Sequence, residues 1–184
     1  GLWLTGQHMS EMSDAAGTLW LDVGKRDWSD ALLAATGLDR SHMPQLVEGS
    51  ESAGNLRPEL AKAWGVGSVV VAGGAGDNAA TACGLGITKP GDAFVSLGTS
   101  GVLFTTTDHY ATNTESAVHS FCHALPDTWH QMGVILSATD SLNWLADLVG
   151  RSAKDLTTAI DDLPSAASPV TFLPYLSGER TPHN

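Results

Sequence analysis

The sequence predicts an α/β protein, and three observations carry that reading. A β-branched run, Val69 to Val71, leads through a glycine-rich turn, Gly73 to Gly76, into a small-residue stretch, Asp77 to Gly84, that reads as a helix. The segment AFVSLGTSGVLFTTT reads as two strands around the turn Gly98-Thr99-Ser100-Gly101. Strand-like and helix-like segments interleave in both halves of the chain, as they do when helices cover a sheet.

Taken in order, residues 1–26 are mixed, and SEMSDAAGTLWLD reads as a loop feeding a short strand at Leu19 to Asp22. Residues 27–36 read as a helix. Trp28, Leu32 and Ala35 or Leu33 share a face, and Gly37 follows the end. Residues 58–64 read as a second helix, with Pro58 at the first helical position and Gly65 past the last. Val69 to Val71 lack alternation, which suits a buried strand, parallel pairing being one option. The segment ITKPGD, residues 87–92, contains Pro90-Gly91 and is the best internal boundary.

Beyond that boundary the AFVSLGTSGVLFTTT hairpin makes at least one sheet mixed. Residues 117–123 and 129–137 are further strands, with Pro126-Asp127 as the turn between them. Residues 139–149 read as a helix with Leu142, Leu145, Ala146 and Val149 on one face and Gly150 after it. Residues 153–162 read as another, opened by Ser152 with Asp155 in an approximate capping box and stopped by Pro164. VTFLPYL reads as a last strand running into SGERTPHN.

Composition narrows the function classes. With 184 residues the chain holds one large domain or two small ones. Nine Lys+Arg against twenty Asp+Glu give a net charge of −11, so the basic patch that phosphate backbones or anionic membranes require is missing. No uncharged run approaches the ~20 apolar residues of a membrane span, and the first residues lack the basic start of a secretory signal. Cys83 and Cys122 form neither a CxxC pair nor a disulfide framework, which suits a reducing cytoplasm. The chain starts inside an apolar segment and stops just after another, so it reads as a piece of a larger protein.

Asp77 is the leading chemical candidate. It stands where a strand ends, a glycine turn bends and a helix begins, the place where ligands meet α/β sheets. Its carboxylate reads either as a general base or as a helix N-cap. Asn78 beside it reads as a substrate-hydroxyl partner or as turn support. The Gly98-Thr99-Ser100-Gly101 turn reads either as an anion-binding nest with two hydroxyls or as an ordinary hairpin turn. It lacks the lysine of a GxxxxGK[ST] loop. His119, Cys122 and His123 do not make a metal site, because His119 and His123 share one face of a strand while Cys122 takes the other. Glu179 and Arg180 either line a cleft or pair with each other, and pairing is the default.

Three segments, AGGAGDNAA, FVSLGTSG and FLPYLSGERTPHN, together resemble the FGGY family of carbohydrate kinases. SDAAGTLWLD and SAVHSFCHALPDTWH narrow the likeness to members that phosphorylate D-xylulose. The ordered set runs from end to end. The resemblance implies an actin-like ATPase (ribonuclease H-like) fold of two domains, with the active site in the cleft between them. Residues 1–87 would be the C-terminal part of the sugar-binding domain. Residues 92–184 would be the N-terminal part of the nucleotide-binding domain, and the cleft would close about the 87–92 link.

By the same resemblance Asp77 is the catalytic base and, with Asn78, contacts the sugar. Gly98, Thr99 and Ser100 contact the transferred phosphates. Asn143, on the helix SLNWLADL, contacts the nucleotide, and Thr139 stands where the family has a glycine before it. The substrates implied are ATP with Mg²⁺ and D-xylulose. The family's DxGT-type phosphate loop, its early sugar contacts and its late adenosine loop are not in this sequence, so these 184 residues alone are expected to be inactive. Two alternatives stand beside this reading. One is a kinase of another polyol such as ribulose, gluconate or glycerol. The other is a non-catalytic actin-fold sensor, against which Asp77 speaks because a sensor needs no base. Incomplete sheets would also expose edges and apolar surface, favouring self-association, with a homodimer as one form.

Overall fold

The structure, a computed structural model, describes residues 1–162 and 169–182. In chain order its elements are α1 (Leu2–Thr5), β1 (Met9–Glu11), α2 (Met12–Ala15), β2 (Leu21–Asp22), β3 (Asp27–Trp28), α3 (Asp30–Ala35), β4 (Gln45–Val47), β5 (Ser52–Asn55), α4 (Pro58–Trp64), β6 (Val70–Ala72), α5 (Asp77–Leu85), β7 (Ala93–Leu97), β8 (Gly101–Thr107), β9 (His119–Cys122), β10 (Trp129–Ile135), α6 (Thr139–Val149) and α7 (Ala153–Thr158). Short 3₁₀ turns follow α2, precede β4 and extend α7. The α/β class is as predicted. Among the described residues no helix is long and apolar enough to cross a membrane.

The chain divides into two compact units. The first comprises Gly1–Phe94, Thr105–Thr112 and Ser120–Gln131. The second comprises Val95–Phe104, Asn113–His119 and the described residues from Met132 onward. Strands hydrogen-bonded in the order β7-β8-β10-β9 contribute residues to both.

In the first unit, β1 pairs in parallel with β4, Met9 opposite Gln45, while β2 pairs antiparallel with β3 and β5 with β6. Its core joins Met12, Ala15, Ala16, Leu21, Trp28, Leu33 and Cys122. Indoles in and around it each find an acceptor. Trp28 Nε1 donates to Pro44 O at 2.9 Å, Trp129 Nε1 to Val23 O at 2.8 Å, and Trp20 Nε1 to Thr36 Oγ1 at 3.0 Å. Arg26 binds Glu48 with two parallel bonds of 3.1 and 2.6 Å, donates to Thr128 O at 2.8 Å, and lies 5.3 Å from the Trp129 ring centroid. In the second unit, Phe104, Met132, Val134 and Ala146 are the buried apolar side chains.

Several elements differ from the sequence reading, each for a local reason. The predicted helix at 27–36 begins only at Asp30, because Trp28 is paired in β3 and Ser29 Oγ takes the Leu32 amide. Leu33, not Leu32, is the core residue of that helix. SEMSDAAGTLWLD is not a loop but the end of β1, then α2, with a glutamate cap in place of the usual short polar residue. The strand at 19–22 shrinks to Leu21–Asp22, since Leu19 has φ 70°. Val70 and Val71 do form a strand, but it pairs antiparallel in a two-stranded ribbon and Val70 is 63% exposed. A β-branched run carries no record of which layer, if any, covers it.

The predicted hairpin strands narrow to β9 and β10, and the predicted helix 153–162 changes to a 3₁₀ turn at Ala159. Leu145 and Val149 of α6 are exposed, so the apolar face read from their spacing is not buried by the described residues. VTFLPYL forms no strand, and Pro174 in its middle removes a ladder donor. Pro164, expected to stop α7, lies outside the described residues, as do His183 and Asn184 of the last motif.

Two stability outcomes follow for the first unit. Arg26→Ala leaves the Glu48 carboxylate without its fork, and a loss of about 3 kcal/mol is expected in urea unfolding, only partly restored by Arg26→Lys, whose ammonium cannot bond in parallel. Burial pushes the His130 imidazole down from 6.5 to about 3, with His123 adding to the effect. Below pH 6.5 the unfolded chain therefore takes a proton that the folded chain refuses. Stability is full above that pH and falls as acid is added, by about 2 kcal/mol at pH 5 from this group. The urea midpoint should fall between pH 7 and 5, and His130→Gln should flatten that fall.

Candidate active site

In the first unit the site is built on the turn between β6 and α5. Gly73 N donates to Glu51 O at 2.9 Å and Gly74 N to Gly49 O at 3.0 Å, which ties the turn to the chain leaving β4. A Cβ on Gly73 would lie 2.5 Å from Glu48 O, so the two backbones are too close for any side chain there. Gly76 is the N-cap, with extended backbone at φ −60° and ψ 153°, and its carbonyl accepts the Ala80 amide at 2.8 Å.

Asp77 follows as the first helical residue and is exposed. The structure thus corrects the capping option: Asp77 sits one position inside the cap. Its Oδ1 accepts from Asn78 N at 2.7 Å and from Asn78 Nδ2 at 3.2 Å. Its Oδ2 has no hydrogen-bond partner among the described residues. One oxygen is held and the other is open to accept a proton or a hydroxyl.

In the second unit the turn between β7 and β8 is closed by Gly98 N donating to Ser100 O at 2.9 Å. Its carbonyls face the start of α6. Ala138 N donates to Thr99 O at 2.8 Å, Thr139 N to Gly98 O at 3.1 Å, and Thr139 Oγ1 to Gly98 O at 2.7 Å. The N-cap Ala138 has no side-chain oxygen, so the turn supplies the acceptors the helix lacks. Gly101 lets this happen: a Cβ there would lie 2.9 Å from Ile135 Cγ1. The hydroxyls of Thr99 and Ser100 bond no other described residue, and both residues are exposed. Asn143 is exposed on α6 one turn after Thr139, on the same side of the helix.

Glu179 and Arg180 do not form an ion pair among the described residues. Glu179 Oε1 instead accepts from Leu136 N at 3.0 Å and Arg180 N at 2.8 Å. Arg180 and His119, with Thr114 and Glu115, line a cavity of about 420 Å³. Burial first, then the Arg180 charge, holds the His119 imidazole below its ordinary range. His119, Cys122 and His123 do not converge, and Cys122 belongs to the core of the first unit, where burial raises its thiol to about 12.

The strand, glycine turn and helix around Asp77, and the turn beneath α6, are the geometry against which known proteins can be set. Residues 1–84 match the FGGY family of carbohydrate kinases, N-terminal domain, and residues 93–184 match its C-terminal domain. The chain belongs to the FGGY family of carbohydrate kinases. It is 56% identical over 184 residues to the xylulose kinase of Escherichia coli (strain K12) and 55% identical to that of Klebsiella pneumoniae. Its structure superposes on the crystal structure of a xyloylose kinase from Brucella ovis with a TM-score of 0.96 at 63% identity. In all three comparisons the whole chain is covered and 38% of the relative. The fold is the actin-like ATPase fold of these sugar kinases.

Asp77 and Asn78 are brought together in the first unit, and the Gly98-Thr99-Ser100 turn and Thr139 in the second. Sequence reasoning missed Glu11 and Ser13. Both are buried, and Ser13 Oγ accepts from Gly76 N at 2.9 Å across 63 residues of chain. No periodicity or motif marks that contact. The tight approach at Gly73 can be tested directly. Gly73→Ala must push the turn away from Glu48, with an expected loss of about 1–3 kcal/mol read as a lower melting temperature.

Proposed function

We propose that the full-length protein transfers the γ-phosphoryl group of ATP to the 5-hydroxyl of D-xylulose, giving D-xylulose 5-phosphate and ADP. The observation that carries this reading is Asp77, exposed at the start of α5, with Oδ1 held by Asn78 and Oδ2 open. The names of the relatives at 55–63% identity support the choice of sugar. On this reading residues 1–87 are part of the sugar-binding domain and residues 92–184 part of the nucleotide-binding domain, and the enzyme works in the cytoplasm.

Asp77 Oδ2 accepts the hydroxyl proton as the sugar oxygen attacks the γ-phosphorus, and ADP leaves with the electron pair of the broken P–O bond. Asn78 holds the other carboxylate oxygen and stands beside the sugar. Phosphoryl transfer needs positioning and charge neutralisation more than covalent chemistry. Gly98, Thr99 and Ser100 supply that for the transferred phosphates, through two hydroxyls and backbone donors. Asn143 contacts the nucleotide from α6. Mg²⁺ enters as part of the nucleotide substrate. Among the described residues no three His, Cys, Asp or Glu side chains cluster to hold a metal.

The test is Asp77→Asn in the full-length protein, in a coupled ATP assay with D-xylulose, ribulose, gluconate and glycerol. The expected result is an unchanged melting temperature, a kcat lowered by about 10²-fold or more, and D-xylulose as the preferred acceptor of the unaltered enzyme. A near-normal rate for the variant would remove Asp77 as the base. Preference for another acceptor would replace the sugar.

A further inference from the structure

We propose that Ser13, held by Glu11, is a positioning residue for Asp77. The inference rests on the reading of Asp77 as the base and adds the groups that set its place. Gly76, the residue before Asp77, is held at both ends. Its carbonyl accepts Ala80 N at 2.8 Å, within α5. Its amide donates outside the helix, to Ser13 Oγ at 2.9 Å.

Ser13 can accept there because its own hydroxyl proton is committed elsewhere. Ser13 Oγ donates to Glu11 Oε2 at 2.5 Å, and the same carboxylate accepts Ser13 N at 2.9 Å and Asp14 N at 3.1 Å. Glu11 and Ser13 are each 6% exposed. A buried carboxylate with three donors is a rigid anchor, because each bond is charge-assisted and losing any one leaves charge uncompensated. The rotamer of Ser13 is thereby fixed, and so is the direction of the lone pair that receives Gly76.

The contact holds the Ala75–Gly76 peptide, one residue before the Asp77 Cα. Asn78 fixes the Asp77 carboxylate from within α5, whereas Ser13 fixes the backbone that leads into Asp77 from outside the helix. Displacement of a reacting group by about 1 Å can cost on the order of 10²-fold in rate. The relay from Glu11 through Ser13 to Gly76 therefore acts on the reaction without touching substrate.

The experiment measures kcat and KM for D-xylulose, with melting temperatures, in full-length Ser13→Ala, Asp77→Asn and the double variant. Ser13→Ala should lower kcat about tenfold and leave KM within about twofold, since a small displacement of the base weakens alignment in the transition state more than contact in the ground state. In the Asp77→Asn background the same change should alter the residual rate by less than about twofold, because the group it positions has already gone. Glu11→Gln should lower kcat in the same direction by about threefold, its neutral oxygen still accepting the Ser13 hydroxyl. It carries the comparison if Ser13→Ala does not fold. A normal kcat in Ser13→Ala, or an equal loss in both backgrounds, would overturn the proposal while leaving Asp77 as the base. A normal rate in Asp77→Asn would instead overturn the base assignment and this proposal with it.

Discussion

The guanidinium of Arg26 is the point on which the first unit's separate segments converge. Its fork closes on Glu48, and its remaining donors reach Thr128 O and, at 3.5 Å, Leu125 O. The side chains of the pair are 9% and 20% exposed, so neither charge is well hydrated. Burying such a pair is costly unless the geometry is good and the spare donors are used. Here both conditions hold, and the Trp129 ring lies beside the cation. The consequence reaches the site because Glu48 also shapes it with its backbone. The Glu48 carbonyl is what a Gly73 side chain would strike, and the next carbonyl, Gly49 O, accepts Gly74 N. Fixing the Glu48 side chain therefore fixes the surface on which the glycine turn rests, and the turn delivers Gly76 and Asp77.

The second unit solves a related problem with no charge at all. A helix beginning at Thr139 has orphan amides, and its cap is an alanine. The hairpin turn meets the need with the carbonyls of Gly98 and Thr99. Carbonyls and hydroxyls in one turn then serve different masters: the former bind the helix, while the latter stay open. With a net charge of −11 and no lysine in the turn, the groups the turn offers to an anion are hydroxyls and amides. The same arrangement accounts for Thr139, since its hydroxyl adds a second bond to Gly98 O.

Legibility in the sequence tracks how local the determining interaction is. Pro58 and Gly65 bracket α4, Gly150 ends α6, and the glycines at 98 and 101 mark the hairpin, because each acts through its own backbone. Ser152 was readable for the same reason: its oxygen takes the Asp155 amide three residues on. What could not be read depends on distant partners. Glu11 caps α2 although glutamate is not a favoured cap, and it also accepts the hydroxyl of Ser13, whose oxygen takes the distant Gly76 amide. Val70 carries a strong strand signal, yet whether it is covered depends on layers that its own residues do not name. For Asp77 the motif was legible and the carboxylate's orientation was not, since that follows from which residue takes the extended cap geometry.

Glu179 shows why a default can fail for a geometric reason. Glu179 and Arg180 take different partners instead of each other. Glu179 accepts the Leu136 amide, just past the end of β10, and Thr181 takes up the strand two residues earlier, accepting Val134 N at 3.1 Å and donating its own amide to Val134 O at 3.2 Å. Residues 179–181 thus satisfy β10 as a partner strand would, although the run before them forms no ladder. Arg180 lines the cavity beside His119, and after burial its charge helps hold that imidazole below its ordinary range. The polar segment is therefore structural at alternate positions and open at the one between, which no pairwise reading of two adjacent charges could have separated.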